Sequence, residues 1–245
     1  MKQPLNNIKV LVPRPIGHAD EFSQKLEALG AQPILFPLIN VEALNKKELK
    51  AAYESSPFGW IIFTSSVAVQ FFFNVVKADE VKSKIAVVGT ATKKAVEDLG
   101  LKVSFTPSAA TAKKLVKEIP LNKGEKVFIP RSKIAGTAIL ETLKKRGINV
   151  TEIAAYTNTP IVYSQEEVEA VFAQNINVIT FTSGSIVESF VGLLKQYKIK
   201  LGPQHIVSIG PSTTAAAKKM YIDVDKTAET HNVDGLVESI LSFYQ

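Results

Sequence analysis

Apolar residues fall in short, regularly spaced runs along the chain. Runs of four to six residues, rich in Val, Ile and Phe, occupy 8–12, 33–36, 60–63, 85–89 and 102–105, then 126–129, 150–154, 177–181, 205–209 and 221–225. Continuous runs of that length, without polar alternation, predict strands buried on both faces of a parallel sheet. The intervening segments carry helical spacing: Phe22, Leu26 and Leu29 at i, i+4 and i+7, and Leu140 with Leu143. Gly30, Gly100 and Gly147 each follow such a segment and precede a strand, the place of a left-handed residue that ends a helix. Strand and helix alternate throughout, which predicts an α/β architecture.

The pattern occurs twice. Val12-Pro13-Arg14 returns as Ile129-Pro130-Arg131, and Leu29-Gly30 as Arg146-Gly147, both 117 residues later. Phe63-Thr64-Ser65-Ser66 returns after 118 residues as Phe181-Thr182-Ser183-Gly184, and Val88-Gly89-Thr90-Ala91-Thr92 after 121 as Ile209-Gly210-Pro211-Ser212-Thr213. Four stations in one order at nearly constant offset mark an internal duplication of about 120 residues. The expected product is two doubly wound parallel-sheet domains of about five strands each. One position breaks the match: Tyr221 stands where the repeat requires the counterpart of Gly100, so that helix is expected to end differently.

Composition narrows the function. The 245 residues are 46% apolar and 21% charged, enough for one large globular domain or two small ones. No apolar stretch is long enough for a membrane helix, and the polar start MKQPLNNIK lacks the apolar core of a secretory signal, so a cytoplasmic protein is expected. The absence of cysteine excludes disulfides, thiolate metal sites, iron–sulfur clusters and a cysteine nucleophile. His18, His205 and His231 have no metal-ligand spacing, and the segment 89–94 lacks the second glycine of a dinucleotide fingerprint. No phosphate loop, nucleophile elbow or paired-carboxylate motif occurs. Neither metal nor cofactor is therefore expected.

Charge adds a preference for anions. Lys and Arg total 29 against 23 for Asp and Glu, a net charge of +6. The lysines are scattered, without a basic block or aromatic-interleaved stripe, which argues against nucleic acid. Only three arginines occur, Arg14, Arg131 and Arg146, and the first two hold matched positions after a strand and a proline. Arginine kept twice in a lysine-rich chain favours planar recognition of carboxylate or phosphate.

Ligands of open parallel sheets bind beyond the carboxyl ends of the strands. Thr64, Ser65, Ser66, Gly89, Thr90, Thr182, Ser183, Gly184, Ser185, Gly210, Ser212 and Thr213 are all expected there. Such residues ordinarily cap helices, yet a capped N-terminus keeps further N–H groups free for an anion, so both uses can coexist. Two domains facing each other would line a cleft with these sockets. Tyr156 follows strand 150–154 in the Thr/Asn/Pro stretch Ala155-Tyr156-Thr157-Asn158-Thr159-Pro160, where packing is the commoner use of tyrosine and proton donation the alternative.

The order of these motifs, over residues 8–240, resembles the uroporphyrinogen-III synthase family: Pro-Arg, Leu-Gly, Phe-Thr-Ser, Val-Gly-Thr-Ala-Thr, Pro-Arg again, Tyr-x-x-x-Pro, Phe-Thr-Ser, and Ile-Gly-Pro-Ser-Thr-Thr-Ala. The resemblance implies two flavodoxin-like α/β domains in which residues 1–37 join 160–245, residues 41–156 form the other domain, and the segments near 37–41 and 156–160 make a two-stranded linker that allows variable opening. It implies a cofactor-free cyclising lyase acting on hydroxymethylbilane. The ring A hydroxyl leaves as water, ring D attacks through its substituted α-carbon, and the resulting spiro intermediate recloses as uroporphyrinogen III. Without enzyme the bilane closes to the type I isomer, so the protein's task is chiefly orientation. Tyr156 matches the family's candidate for assisting hydroxyl departure, and the polar strand-end residues and Arg14 and Arg131 become contacts for an octacarboxylate. Hand-over of the bilane from hydroxymethylbilane synthase, a monomeric state, and no membrane or nucleic-acid partner complete that expectation. The competing classes are a bilobed α/β binding protein for a small polyanion and a nucleotide-dependent enzyme; the second lacks any phosphate-loop signature.

Overall fold

Three neighbouring residues show why the strands carry no polar alternation. Leu11 packs into one buried cluster with Ile179 and Phe181, while Val10 and Val12 pack on the other side with Phe22 and Leu236. The same division recurs at Ile61 and Phe63 against Trp60 and Ile62. In this computed structural model, residues 3–245 are described. The strands are β1 (Lys9–Val12), β2 (Gln32–Leu35), β3 (Ile39–Ala43), β4 (Trp60–Phe63), β5 (Lys84–Val87), β6 (Lys126–Ser132), β7 (Asn149–Pro160), β8 (Val178–Phe181), β9 (His205–Ser208) and β10 (Lys226–Thr227). The helices are α1 (Asp20–Ala28), α2 (Lys46–Glu54), α3 (Ser66–Phe73), α4 (Thr90–Glu97), α5 (Ala112–Glu118), α6 (Ala138–Lys145), α7 (Gln165–Phe172), α8 (Gly184–Gln196), α9 (Pro211–Lys219) and α10 (Val233–Leu241).

The chain divides into two compact units. Unit 1 holds the residues up to Asn40 together with Thr159–Gln245, and unit 2 holds Val41–Asn158. The sheet of unit 1 runs β10-β9-β8-β1-β2 with parallel neighbours throughout. The second sheet runs β3-β7-β6-β4-β5, with β7, β6, β4 and β5 parallel. Each unit therefore takes about the first third of one repeat and the remaining two thirds of the other. The chain passes between units along β3 and β7.

Two expected strands are corrected. The run 102–105 contributes a single parallel bridge, Phe105 to Ala86. The run 221–225 forms no strand; β10 lies just beyond it. Its residues are committed elsewhere: the Ile222 N–H closes the end of α9 on the Ala217 carbonyl, and the Asp225 side chain accepts from the Ile206 N–H at 2.7 Å. Ladder pairing with β9 starts only at Lys226, opposite Val207.

The expectation for Tyr221 is also corrected. Tyr221 takes φ +62°, the same left-handed conformation as Gly100 at +75°. Both helices close with the same pair of bonds, Gly100 N–H to Glu97 and Leu101 N–H to Val96, and Tyr221 N–H to Lys218 and Ile222 N–H to Ala217. The tyrosine side chain is 96% exposed, so its only large effect is the strain of that backbone. Replacing Tyr221 by Gly should stabilise the protein by about 0.5–1 kcal/mol, after allowing for the freer unfolded chain. Thermal denaturation should show Tm rising by about 1–3 °C; a fall would overturn the strain argument.

Arg146, the arginine outside the repeat of Pro-Arg, has a structural task. Its guanidinium donates to the carbonyls of Val116, Ile119 and Leu121, the last two at 3.0 and 3.3 Å. It thereby satisfies carbonyls at and beyond the end of α5, which the fork geometry of arginine suits and a lysine could not reproduce.

Candidate active site

Each sheet reverses its winding once, and there the matched motifs meet. In unit 1 the reversal lies between β1 and β8, so Arg14 and the segment Thr182–Ser185 flank it at the carboxyl edge. In unit 2 it lies between β4 and β6, flanked by Thr64, Ser65, Ser66 and Arg131. Adjacent connections leave a doubly wound sheet in opposite directions at such a point, opening a crevice over the strand ends. Gly89 and Thr90 follow β5 and Gly210 and Ser212 follow β9, one strand further out on the same edges.

In unit 2 the structure brings Tyr156 to Ser65, with their hydroxyls 3.0 Å apart. The approach depends on an irregularity in β7. Arg131 of β6 pairs with Ala154, but Ser132 pairs with Tyr156, leaving Ala155 as an extra residue. Regular alternation would send Ala155 and Tyr156 to opposite faces; with the bulge both enter the same buried cluster. Tyr156 is 7% exposed and stacks on Phe71, with ring centroids 5.5 Å apart and planes 16° apart. Ser65 is the N-cap of α3 and accepts the Ala68 N–H at 3.1 Å. Burial pushes the Tyr156 phenol above its ordinary value, opposed by the Ser65 hydrogen bond and the Arg131 charge. The group is thus a protonated phenol at neutral pH, anchored on one side and backed by a cation.

The two matched arginines differ. Arg131 is 6% exposed, donates to the Gly136 carbonyl and reaches Glu152 Oε2 at 3.3 Å. Its fork is engaged within unit 2. Arg14 has a buried Nη1 with no hydrogen-bond partner among the described residues. Burial lowers its affinity for the proton, opposed by Glu21, and the neighbouring His18 is held below its ordinary value by burial and then by the Arg14 charge. A desolvated guanidinium lacking a partner on one nitrogen is prepared for an anion.

The remaining predicted residues divide between capping and exposure. Ser183 caps α8 by accepting from the Ile186 N–H, and its hydroxyl lies 3.0 Å from Ser185. Thr64, Ser66, Thr182, Gly184 and Ser185 are half-buried, Thr90 and Ser212 exposed, and Thr213 is buried at 3% exposure. Thr213 therefore packs inside unit 1. Helices α4 and α9 begin at Gly89 and Gly210 with no side-chain cap among the described residues. This leaves first-turn N–H groups of α4 for other acceptors, whereas in α9 Pro211 has no N–H and the Thr213 N–H donates to the Gly210 carbonyl, leaving that of Ser212. The β-carbon of a residue larger than glycine at 210 would stand 3.2 Å from the His231 ring, so a small residue keeps that helix start open. Phe71 and Glu152, neither singled out in the sequence, complete the surroundings of Tyr156 and Arg131.

Over residues 20–238 the chain matches the family described as uroporphyrinogen-III synthase HemD. The chain belongs to the uroporphyrinogen-III synthase family. It is 31% identical to the porphyrin biosynthesis protein HemD of Ruminiclostridium josui over 98% of its own length, and spans 49% of that longer relative. It is 31% identical to the chloroplastic uroporphyrinogen-III synthase of rice, covering 95% of this chain and 79% of that one. The uroporphyrinogen-III synthase of Synechococcus elongatus is 28% identical across 98% of this chain and 96% of its own. Among solved structures, a mutant uroporphyrinogen III synthase of Thermus thermophilus shares the fold, with TM-score 0.67 and 17% identity over 95% of this chain and 97% of that one. The Helicobacter pylori enzyme does so with TM-score 0.60 and 18% identity over 97% and 99%. The family's enzyme is a cyclising lyase of tetrapyrrole biosynthesis. Among the described residues no helix is long and apolar enough to cross a membrane.

Proposed function

We propose that this member of the family cyclises hydroxymethylbilane to uroporphyrinogen III and water, inverting ring D, with Tyr156 as the acid that assists departure of the hydroxyl. The observation that carries the residue assignment is the Tyr156 hydroxyl on Ser65, buried at the reversal point of the unit 2 sheet and held protonated. Substrate carboxylates meet Arg14 and the helix starts at Thr64 and Ser66, Gly89–Thr90, Thr182–Ser185 and Gly210–Ser212. Thr213 acts by packing, and Arg131 by setting the charge beside Tyr156. The chain works as a cytoplasmic monomer that receives the bilane from hydroxymethylbilane synthase, a hand-over suited to a substrate that closes unaided to the wrong isomer. The test couples the protein to freshly generated hydroxymethylbilane, oxidises the product and separates the isomers by chromatography. Type III in excess over the enzyme-free control supports the reading, and type I alone from folded protein overturns it.

The contrast between the arginines gives a separate expectation. Arg14→Ala should raise KM about tenfold, the worth of one charge-assisted hydrogen bond, and leave Tm unchanged or slightly higher because a desolvated charge is removed. Arg131→Ala should lower stability by about 2 kcal/mol, or about 4–8 °C in Tm, by leaving the Gly136 carbonyl and Glu152 without their partner. Equal KM changes with equal Tm changes would remove the distinction.

A further inference from the structure

The Ser65 hydroxyl has one proton and two lone pairs, and the structure accounts for most of that capacity. One lone pair accepts the Ala68 N–H at 3.1 Å, in the first turn of α3. The remaining contact is Tyr156 Oη at 3.0 Å. A hydroxyl that accepts from a helix N-terminus becomes a stronger donor, because the positive end of the helix polarises its O–H bond. The favoured arrangement is therefore Ser65 donating to Tyr156 Oη. The phenol proton then points away from Ser65, while the stacking of Phe71 fixes the ring plane.

We propose that Ser65 is a positioning residue for the cyclisation, acting through Tyr156: it accepts from the α3 N-terminus and donates to Tyr156 Oη, so that the phenol presents its proton to the departing hydroxyl and the phenolate left behind is held. This rests on the assignment of Tyr156 as the acid and goes beyond it, because a strand-end serine would otherwise be a contact for a substrate carboxylate. In the step, the carbon–oxygen bond of the hydroxymethyl group breaks as the pyrrole nitrogen pushes its electron pair toward the methylene carbon. The hydroxyl leaves with the Tyr156 proton as water. The phenolate carries the negative charge on Oη, facing the Ser65 proton and the Arg131 cation, and recovers a proton when the free α-carbon of the reclosed pyrrole loses its own. The Ser65 hydrogen bond and the Arg131 charge both favour the ionised phenol, whereas burial opposes it. The site keeps the proton until the leaving group needs it.

The test is a double-mutant cycle with Ser65→Ala, Ser65→Thr, Tyr156→Phe and the Ser65→Ala/Tyr156→Phe pair, read by kcat, KM and isomer ratio. Ser65→Ala should lower kcat about tenfold with KM nearly unchanged, and the same substitution in the Tyr156→Phe background should change kcat less than about twofold. Ser65→Thr, which keeps the hydroxyl and the cap, should recover most of the loss. A rise in KM of similar size in both backgrounds would overturn the proposal in favour of a direct carboxylate contact. Equal kcat losses in both backgrounds, matched by a fall in Tm, would reduce Ser65 to a helix cap. A second readout needs no substrate: with carbon-13-labelled tyrosine, the resonance missing from Tyr156→Phe identifies Tyr156, and its titration should move to higher pH in Ser65→Ala. No movement there overturns the positioning role even if Tyr156 proves to be the acid. Wild-type turnover in Tyr156→Phe would instead overturn the acid assignment, whatever that titration shows.

Discussion

Tyr156→Phe should lower kcat about 100-fold, within the range ordinarily lost with a general acid, while KM stays within about threefold of its starting value. The substitution removes one atom from a ring that keeps its place: a phenylalanine still stacks on Phe71 and still fills the cluster around Ala155 and Phe63. Ser65 still caps α3 through Ala68. Stability should therefore fall by no more than about 1 kcal/mol, the net worth of one neutral hydrogen bond. The residual reaction should shift toward the type I isomer, since that closure needs no enzyme and competes whenever the assisted departure is slow. Because burial raises the phenol, the wild-type rate should not fall on the alkaline side until pH passes the ordinary tyrosine range of about 10. The same shift has a sign in folding. A group whose folded value lies above its unfolded one contributes its stability fully below about pH 10 and loses it as pH climbs through the folded value. Unchanged turnover in Tyr156→Phe would demote the residue to packing.

How much of this was legible in the sequence depended on whether the deciding interaction was local. The strands β1, β4, β8 and β9 announce themselves because both faces are buried, and a run such as Trp60–Phe63 must then be apolar at every position. The Pro-Arg and Phe-Thr-Ser stations were visible as repeats, and their shared edge follows from parallel strands. Tyr221 departs from the expectation because residue type alone does not set φ: the helix-closing bonds from Tyr221 to Lys218 and from Ile222 to Ala217 impose the left-handed conformation on a residue that does not favour it. The pairing of Ser65 with Tyr156 was out of reach for a different reason. The two are 91 residues apart, Ser65 just after β4 and Tyr156 within β7, strands that flank β6 on opposite sides, and a one-residue bulge decides where the phenol goes. Nothing in Ala154-Ala155-Tyr156 encodes that bulge by itself. The unequal fates of Arg14 and Arg131 were equally hidden, because Glu152 reaches Arg131 only once β6 and β7 are paired, and the Gly136 carbonyl only once the segment after β6 folds back.

Gly235→Ala should be the most damaging small substitution in unit 1, costing about 3 kcal/mol or more and lowering Tm by about 6–12 °C. Alanine is intrinsically the better helix former by about 1 kcal/mol, so propensity alone predicts the opposite sign. Space decides. A β-carbon at 235 would lie 2.0 Å from the Thr230 carbonyl oxygen and 2.9 Å from its carbon, and backbone atoms cannot swing aside as a flexible side chain can. The Thr230 carbonyl is also fixed in place, since it accepts the Asn232 N–H at 2.8 Å. Asn232 in turn caps α10 by accepting from the Gly235 N–H at 2.9 Å. Relief therefore requires either the turn or the first turn of α10 to move. Either movement drags Leu236 and Ile240 out of the cluster they share with Val10, Val12 and Phe22 beneath β1, the strand that leads into Arg14. Gly192→Ala is the control: it lies exposed in the middle of α8 with nothing within 4 Å of a new β-carbon, so it should stabilise by up to about 1 kcal/mol. Opposite signs for the two alanines in urea or thermal denaturation would place the requirement at 235 on the approach of the Thr230 backbone; the same sign and size would place it elsewhere.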